Sequence, residues 1–506
     1  FSSLLFLWAA AAAVLLIRTS LNISRWVGPA DSILAAQQQQ QPLNIKQGFA
    51  STLAAFASAS GGASVGQYGP IVHFGATVGV WVKRFVSSRL SHDIYLGCGV
   101  AAAISAGFNA PIAGVIFAHE AILRHFSMRA IAPITVASIS ASTLGNYWFP
   151  NTAALDIKSV VPSLTEVVPT LIVLAPVFSL VAILFMLSLR QASEVAGKLR
   201  LSPTKLLFLG ATICGLVGVW IPQILGLGIS SINHMIAGDF TLTLLATVLV
   251  AKILMTALCL GCGLPGGMFS PALFIGVATG ALAGQILTLL GFADIASIIS
   301  VAAMAAVSSA VIGAPLSAVM IVLELTQSYQ YAVAAMMAVV VCSLLTNRLF
   351  GHSFFDRQLL DRGIDLSQGR EALALSHVQV EAYASQNYIS ATVNSRGDQL
   401  LHAMHSGGDT EAYVLNKEGI LLGKVNIFAV LEAGSGTIAD FMDTGPLSLY
   451  THDSLEHAMA TAGEFVGESL PIVDLDTGQL VGTVTEGSLF QAVIAVQKQA
   501  RSQERS

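Results

Sequence analysis

Up to about position 347 the chain is built from long runs without a charged residue: 1–17, 49–82, 94–119, 130–155, 167–189, 206–238, 253–293, 295–323 and 325–347. One helix needs roughly 20 predominantly apolar residues to cross a bilayer. Several of the runs are longer, so the pattern predicts an all-α polytopic membrane part. After Phe355 the pattern changes. Arg357, Asp361, Arg362 and Asp365 mark an amphipathic helix leaving the membrane, and from about 371 short segments predict alternating strands and helices. Residues 469–474 and 477–485 read as an apolar strand, a Gly turn and a second strand, and residues 412–415 and 420–425 repeat that hairpin about 58 positions upstream. Each hairpin is followed by a helix.

Composition sharpens the division. The 506 residues are 54% hydrophobic and 10% charged, with a mean hydropathy of +0.72, whereas soluble domains carry about 25% charged residues. Positions 371–506 hold 17 acidic and 6 basic residues, a formal −11; the preceding 370 hold 12 and 18, a formal +6. A soluble enzyme, a secreted domain and a primary nucleic-acid binder are excluded. Cys98, Cys214, Cys259, Cys262 and Cys342 all fall in apolar segments, so they read as helix-packing residues without a disulfide framework. Cys259 and Cys262 have metal-finger spacing but no second pair to complete a site. Phe1 opens directly into an apolar helix with no basic region before it, which reads as a truncated or renumbered start and not a signal peptide.

The apolar runs contain an internal repeat. Gly66-Gln67-Tyr68-Gly69-Pro70 is followed by Gly75 and Gly79, and Gly267-Met268-Phe269-Ser270-Pro271 by Gly276 and Gly280 at the same offsets. Asn109-Ala110-Pro111 leads to Glu120 nine residues after the proline; Gly313-Ala314-Pro315 leads to Glu324 at the same distance. Duplicated Gly/Pro-broken apolar segments point to a transport protein whose site lies where the repeats meet. A helix that starts in mid-membrane must find partners for its first N–H groups in protein, water or an ion. Pro70 and Pro271 suit a first turn, and the glycines before them let backbone approach a ligand. Two converging helix starts would favour one anion, and no run pairs the carboxylates a cation would need.

At these residues the sequence resembles the CLC family of chloride channels and proton/chloride exchangers. Residues 66–70 resemble its GREGP segment, 267–271 its GxFxP segment and 109–120 its NAPLAG…E helix, and the resemblance extends over residues 1–365. It implies a CLC-type inverted repeat of tilted, re-entrant helices, a homodimer with one chloride pathway per subunit, and one or two helices before Phe1. The expected anion-binding residues are Gly28, Pro29, Gly66, Tyr68, Gly69, Gly267, Met268, Phe269 and Phe355.

Departures from the family pattern bear on mechanism. Tyr68 stands at the gating glutamate of the exchangers, with Gln67 in place of the preceding Arg. The internal proton-transfer glutamate, which follows Glu120, is replaced by Ala121. With a reference pKa of about 10, a tyrosine stays neutral near pH 7, so both proton stations are absent. Phe355 replaces the pore tyrosine and removes one hydroxyl donor. The GSGIP segment reads Gly28-Pro29-Ala30-Asp31-Ser32, with its register open; Asp31 is expected to point away from an anion. Intramembrane Glu120 and Glu324 are functional candidates by default, but their repeated position favours hydrogen bonding to backbone amides. His73 and His119 read as satisfied buried imidazoles, with a proton role as the alternative. Lys252 either draws anions inward or snorkels to an interface.

The tail resembles a tandem of CBS domains, about 371–434 and 437–496, within a regulatory domain of 371–506. Family pairs bind adenine nucleotides through a Thr/Ser and an Asp three residues on. Here those positions are Thr485 with Ser488 and Asn426 with Ala429, so neither copy has the aspartate, and the −11 charge opposes a nucleotide. The resulting expectation is a passive chloride channel or uncoupled chloride pathway, not an enzyme, in the plasma (bacterial inner) membrane with its CBS tail in the cytoplasm. The alternative is a proton-coupled exchanger using His73 or His119.

Overall fold

The computed structural model describes residues 2–37, 43–88, 90–149, 163–292, 295–366, 375–376 and 378–505. It divides into two compact units, Phe1–Ile364 and Asp365–Ser506. The expected start of the first CBS copy, at 371, lies outside the described residues.

The first unit is helical: α1 (Ser2–Ser20), α2 (Pro29–Gln37), α3 (Ile45–Ser60), α4 (Tyr68–Lys83), α5 (His92–Phe108), α6 (Pro111–Phe117), α7 (Met128–Trp148), α8 (Leu164–Lys198), α9 (Pro203–Trp220), α10 (Ile229–Ala237), α11 (Leu242–Gly261), α12 (Phe269–Leu289), α13 (Ala296–Ile312), α14 (Pro315–Thr326), α15 (Tyr329–Leu349) and α16 (Phe354–Leu360). Among the described residues six helices are long and apolar enough to cross a membrane.

The sequence repeat is a structural repeat. Helices α4 to α7 correspond in order and offset to α12 to α15. In each half a glycine pair seats the first helix against the second. A Cβ at Gly75 or Gly79 would come within 2.2 Å of the Gly99 carbonyl or 2.1 Å of the Tyr95 carbonyl, and one at Gly276 or Gly280 within 2.6 Å of those of Ala303 or Ile299. Small residues let helix backbones meet where lipid offers no hydrophobic drive. In each half the second helix ends on a left-handed residue, Asn109 (φ 53°) or Gly313 (φ 82°), and the next begins on a proline.

The C-terminal unit also repeats itself. Strands β1 (Ile389–Ala391), β2 (Glu411–Leu415) and β3 (Leu421–Asn426) form one sheet and β4 (Leu449–Tyr450), β5 (Ser469–Val473) and β6 (Leu480–Thr485) another, each with a parallel then an antiparallel pairing. Helices α17 (Gly397–Gly407) and α18 (Ile427–Ala433) serve the first sheet, α19 (Leu455–Glu464) and α20 (Glu486–Arg505) the second. The hairpin tips bond to each other, with Leu421 N–H donating to Gly478 O at 3.1 Å and Leu480 N–H to Gly419 O at 3.0 Å. Two like units joined tip to tip are the arrangement that the resemblance to a tandem of CBS domains implies. Between the copies Lys424 is held by Glu411 at 2.6 Å and by the Ser469 carbonyl at 2.7 Å. The Tyr413 hydroxyl sits beside Ser469, and burial pushes its pKa above the ordinary tyrosine value.

Candidate functional site

The site begins where the repeats cross. Gly66 N–H donates to Gly267 O at 2.6 Å and Gly267 N–H to Gly66 O at 2.7 Å, an antiparallel bridge between the loops that open α4 and α12. Both glycines are needed because the backbones touch: a Cβ at Gly267 would lie 2.9 Å from Gly69 N, and one at Gly66 2.8 Å from Ser270 Oγ. The N–H groups of Gly66 and Gly267 are thus each engaged by the other repeat. The first-turn N–H groups of Tyr68, Gly69, Phe269 and Ser270 are the ones that helix geometry leaves without an acceptor one turn back.

Gly28, Pro29, Gly69, Gly267, Met268 and Phe355 line one cavity of about 230 Å³. Three helix starts, those of α2, α4 and α12, are thereby brought to one space together with α16. Gly66, Tyr68 and Phe269 are not on its wall. The Tyr68 ring is 6% exposed, stacks on Phe108 with centroids 3.8 Å apart, and lies 5.6 Å from the Phe269 ring. Its hydroxyl is 3.5 Å from Gly107 O, a long contact. Tyr68 thus belongs to an aromatic cluster with Phe108 and Phe269 at the start of α4. Phe108 gave no signal in sequence, because an aromatic at the end of an apolar run looks like any packing residue.

Asp31 is among the residues that line the cavity, and its carboxylate is held by Arg25 at 2.6 Å and Arg362 at 2.9 Å. Ser32 is fully buried and its Oγ pairs with His73 Nδ1 at 2.7 Å. The imidazoles of His73 and His119 each keep a buried Nε2 without a partner, so neither is fully satisfied as the sequence reading expected. Lys252 neither snorkels nor faces the cavity. Its ammonium is buried, donates to the carbonyls of Ile224 and Gly226 at 2.9 Å each, and lies over the Phe274 ring.

Glu120 and Glu324 accept backbone amides, each from the opposite repeat. Glu120 takes Leu316 N–H and Ser317 N–H at 2.8 Å each and Ser317 Oγ at 2.6 Å, capping α14. Glu324 takes Ile112 N–H at 2.9 Å and Ala113 N–H at 2.7 Å, capping α6. Glu120 and Ala121 lie in a π-helical turn, Ala118–Leu123, that continues α6. The left-handed Arg124 lies four positions after Glu120, but the left-handed Gln327 lies three positions after Glu324. The π turn absorbs the extra residue, as such bulges do.

In the tail, Thr485 and Ser488 bond to each other: Ser488 N–H donates to Thr485 Oγ1 at 3.1 Å and Thr485 N–H to Ser488 Oγ at 3.0 Å. Asn426 Oδ1 accepts Ala429 N–H at 2.8 Å. Both pairs act as helix caps. Among the described residues no group of three or more His, Cys, Asp and Glu side chains could hold a metal.

Residues 9–347 match the family described as voltage gated chloride channel. A putative chloride channel protein ClcB-like from Ralstonia nicotianae is 27% identical over 66% of this chain and 80% of its own length. A voltage-gated ClC-type chloride channel ClcB from Escherichia coli is 25% identical over 65% and 79%. Among solved structures, a slow cyanobacterial Cl−/H+ antiporter superposes with TM-score 0.64 at 20% identity, covering 72% of this chain and 86% of that one. A eukaryotic CLC transporter superposes with TM-score 0.58 at 18% identity, covering 96% and 88%. With two thirds of its length matched and that fold, the chain is an integral membrane protein that belongs to the voltage gated chloride channel family.

Proposed function

We propose that the protein is a passive, uncoupled chloride pathway. Residues 1–365 form the anion pathway and residues 371–506 a regulatory CBS pair facing the cytoplasm. It works as a homodimer, in a bacterial inner membrane. The substrate assignment draws on the curated relatives, both named as chloride channels. Chloride occupies the cavity at the starts of α2, α4 and α12, where Gly28, Pro29, Gly69, Met268 and Phe355 surround it and the aromatic plug of Tyr68 gates the far end.

The observation that carries this reading is the pair Tyr68 and Ala121. An exchanger moves protons on carboxylates at these places, and here one is a buried neutral ring and the other a methyl group. A tyrosine can block by volume and donate a hydroxyl hydrogen bond, but it does not exchange a proton near neutrality.

A proton-coupled exchanger is the second reading. It is favoured by the unpartnered buried Nε2 atoms of His73 and His119 and by the fold shared with a Cl−/H+ antiporter. Chloride flux from proteoliposomes of wild type, His73→Gln and His119→Gln decides between them. The uncoupled reading expects flux in all three without proton movement. Proton movement in wild type that either variant abolishes would establish the exchanger.

A further inference from the structure

Away from the cavity, three helices of the membrane unit end together in cations. Helix α9 has 18 residues, about 27 Å at 1.5 Å per residue, close to the roughly 30 Å of a bilayer's hydrocarbon core. Trp220 closes it at 87% exposed, as an aromatic at a membrane surface does. Lys205, in its first turn, therefore stands at the opposite headgroup layer. Helix α8 ends at the same layer. Its 35 residues are about 52 Å long, more than one crossing needs, and Lys198 is exposed at its end. The chain between the two helices turns on Arg200, which is exposed and left-handed (φ 48°). Helix α1 runs antiparallel to α9: a Cβ on Gly215 would lie 3.0 Å from Leu4 Cα, and Trp8 Nε1 donates to Thr212 Oγ1 at 3.0 Å. Arg18, three turns beyond Trp8, thus comes level with the start of α9. Among the described residues none of Arg18, Lys198, Arg200 and Lys205 makes an ion pair, whereas nearby Arg190 is paired with Glu194 at 3.1 Å. The opposite ends of the same helices carry Glu166 and no basic side chain.

Exposed apolar side chains are interleaved with these cations. Leu199 is 49% and Leu201 39% exposed, one on each side of Arg200. At headgroup depth the two kinds of side chain have separate partners, the leucines the acyl chains and the cations the phosphates. We propose that Arg18, Lys198, Arg200 and Lys205, with Leu199 and Leu201, form a site for the phosphodiester headgroup of an anionic phospholipid. Such a headgroup brings one negative charge to cations that lack a counter-ion, and a zwitterionic headgroup brings none in net. The site goes beyond the chloride reading and does not rest on it. The rival account is that these cations only orient the chain during insertion, as basic loops do, and hold no lipid.

The test titrates the full chain, delipidated in a neutral detergent, with dioleoylphosphatidylglycerol, with dioleoylphosphatidylcholine and with glycerol 3-phosphate, reading bound ligand by native mass spectrometry. Phosphatidylglycerol should bind about tenfold or more tightly than either of the others. One cation beside an anionic lipid is worth about fivefold in affinity, so Lys198→Gln, Arg200→Gln and Lys205→Gln combined should weaken phosphatidylglycerol about a hundredfold. Leu199→Ser with Leu201→Ser should weaken it as well, because the acyl contact is lost. Arg348→Gln, an exposed cation at the end of α15, should leave it unchanged. All these positions are exposed, so the variants should elute and melt as wild type does without lipid. Equal affinity for the two lipids, or wild-type affinity in the triple variant, overturns the proposal in favour of the rival. Glycerol 3-phosphate binding as tightly as the lipid would give the corner to a soluble phosphate and overturn it too. Weakening by Arg348→Gln as large as that by the triple variant would show a diffuse charge effect and no site. No arm reads chloride, so the pathway reading stands or falls separately.

Discussion

Gly66 and Gly267 each donate an N–H to the other's carbonyl oxygen, at 2.6 and 2.7 Å, so the two repeats meet backbone to backbone where α4 and α12 begin. The crossing is self-complementary, as a two-fold relation between the repeats requires. It fixes where the first-turn amides of both helices lie.

Valine at position 267 should break this crossing. Its Cβ would fall 2.9 Å from both Gly69 N and Pro70 Cδ, with no flexible side chain to give way. Overpacking of this kind costs about 1–3 kcal/mol. Gly267→Val should lower the thermal midpoint and bring chloride flux to background while the protein elutes as wild type does. Unchanged flux would remove the loop crossing from the pathway.

The reciprocal caps predict an order of stabilities. Glu120 satisfies three donors of the other repeat and Glu324 two. Hydrogen bonds to a charged group contribute about 1.5–3 kcal/mol each. Thermal midpoints should fall from wild type to Glu324→Ala to Glu120→Ala. The reverse order, or an exchange of proton coupling for stability, would assign these carboxylates another role.

The repeat was legible in sequence because glycine and proline carry backbone requirements at fixed offsets: positions 66–70 and 267–271 announced two helix starts. Sequence spacing also suggested that Glu120 and Glu324 bond to amides, but not that the amides belong to the other repeat, since that depends on a crossing between residues some 200 apart. The pairing of the Gly66 and Gly267 amides with each other's carbonyls has no local signal for the same reason. Lys252 was unreadable because a buried lysine is satisfied by carbonyls from a distant turn, here Ile224 and Gly226. Asp31 had a local signal, an acidic residue three after Gly28, which is capping spacing. Its two arginine partners, one of them 331 residues away, had none.

Removing the Tyr68 ring should open the pathway. Tyr68→Ala loses the stack on Phe108 and the contact with Phe269, so the thermal midpoint should fall while chloride flux exceeds wild type. Flux in both proteins should be flat between about pH 5 and 8, because tyrosine's reference pKa is about 10. Tyr68→Glu should add acid activation without proton transport, since Ala121 still lacks a carboxylate. Unchanged flux and selectivity in Tyr68→Ala would place the ring off the pathway.

The tail should not respond to adenine nucleotides. Thr485 and Ser488 close a cap on each other, and the region carries a formal −11. A ligand of the folded state raises its thermal midpoint with concentration, so millimolar AMP or ATP should leave the midpoint of the full chain in place. A saturable increase that Thr485→Ala abolishes would restore the nucleotide site.

The central claim, that chloride moves without protons, is tested most directly by following external chloride and external pH together over chloride-loaded liposomes containing the protein. The account predicts that a potassium ionophore alone releases chloride while the external pH stays constant. Chloride efflux accompanied by proton uptake in fixed ratio, with the alkalinisation abolished by a protonophore, would contradict it.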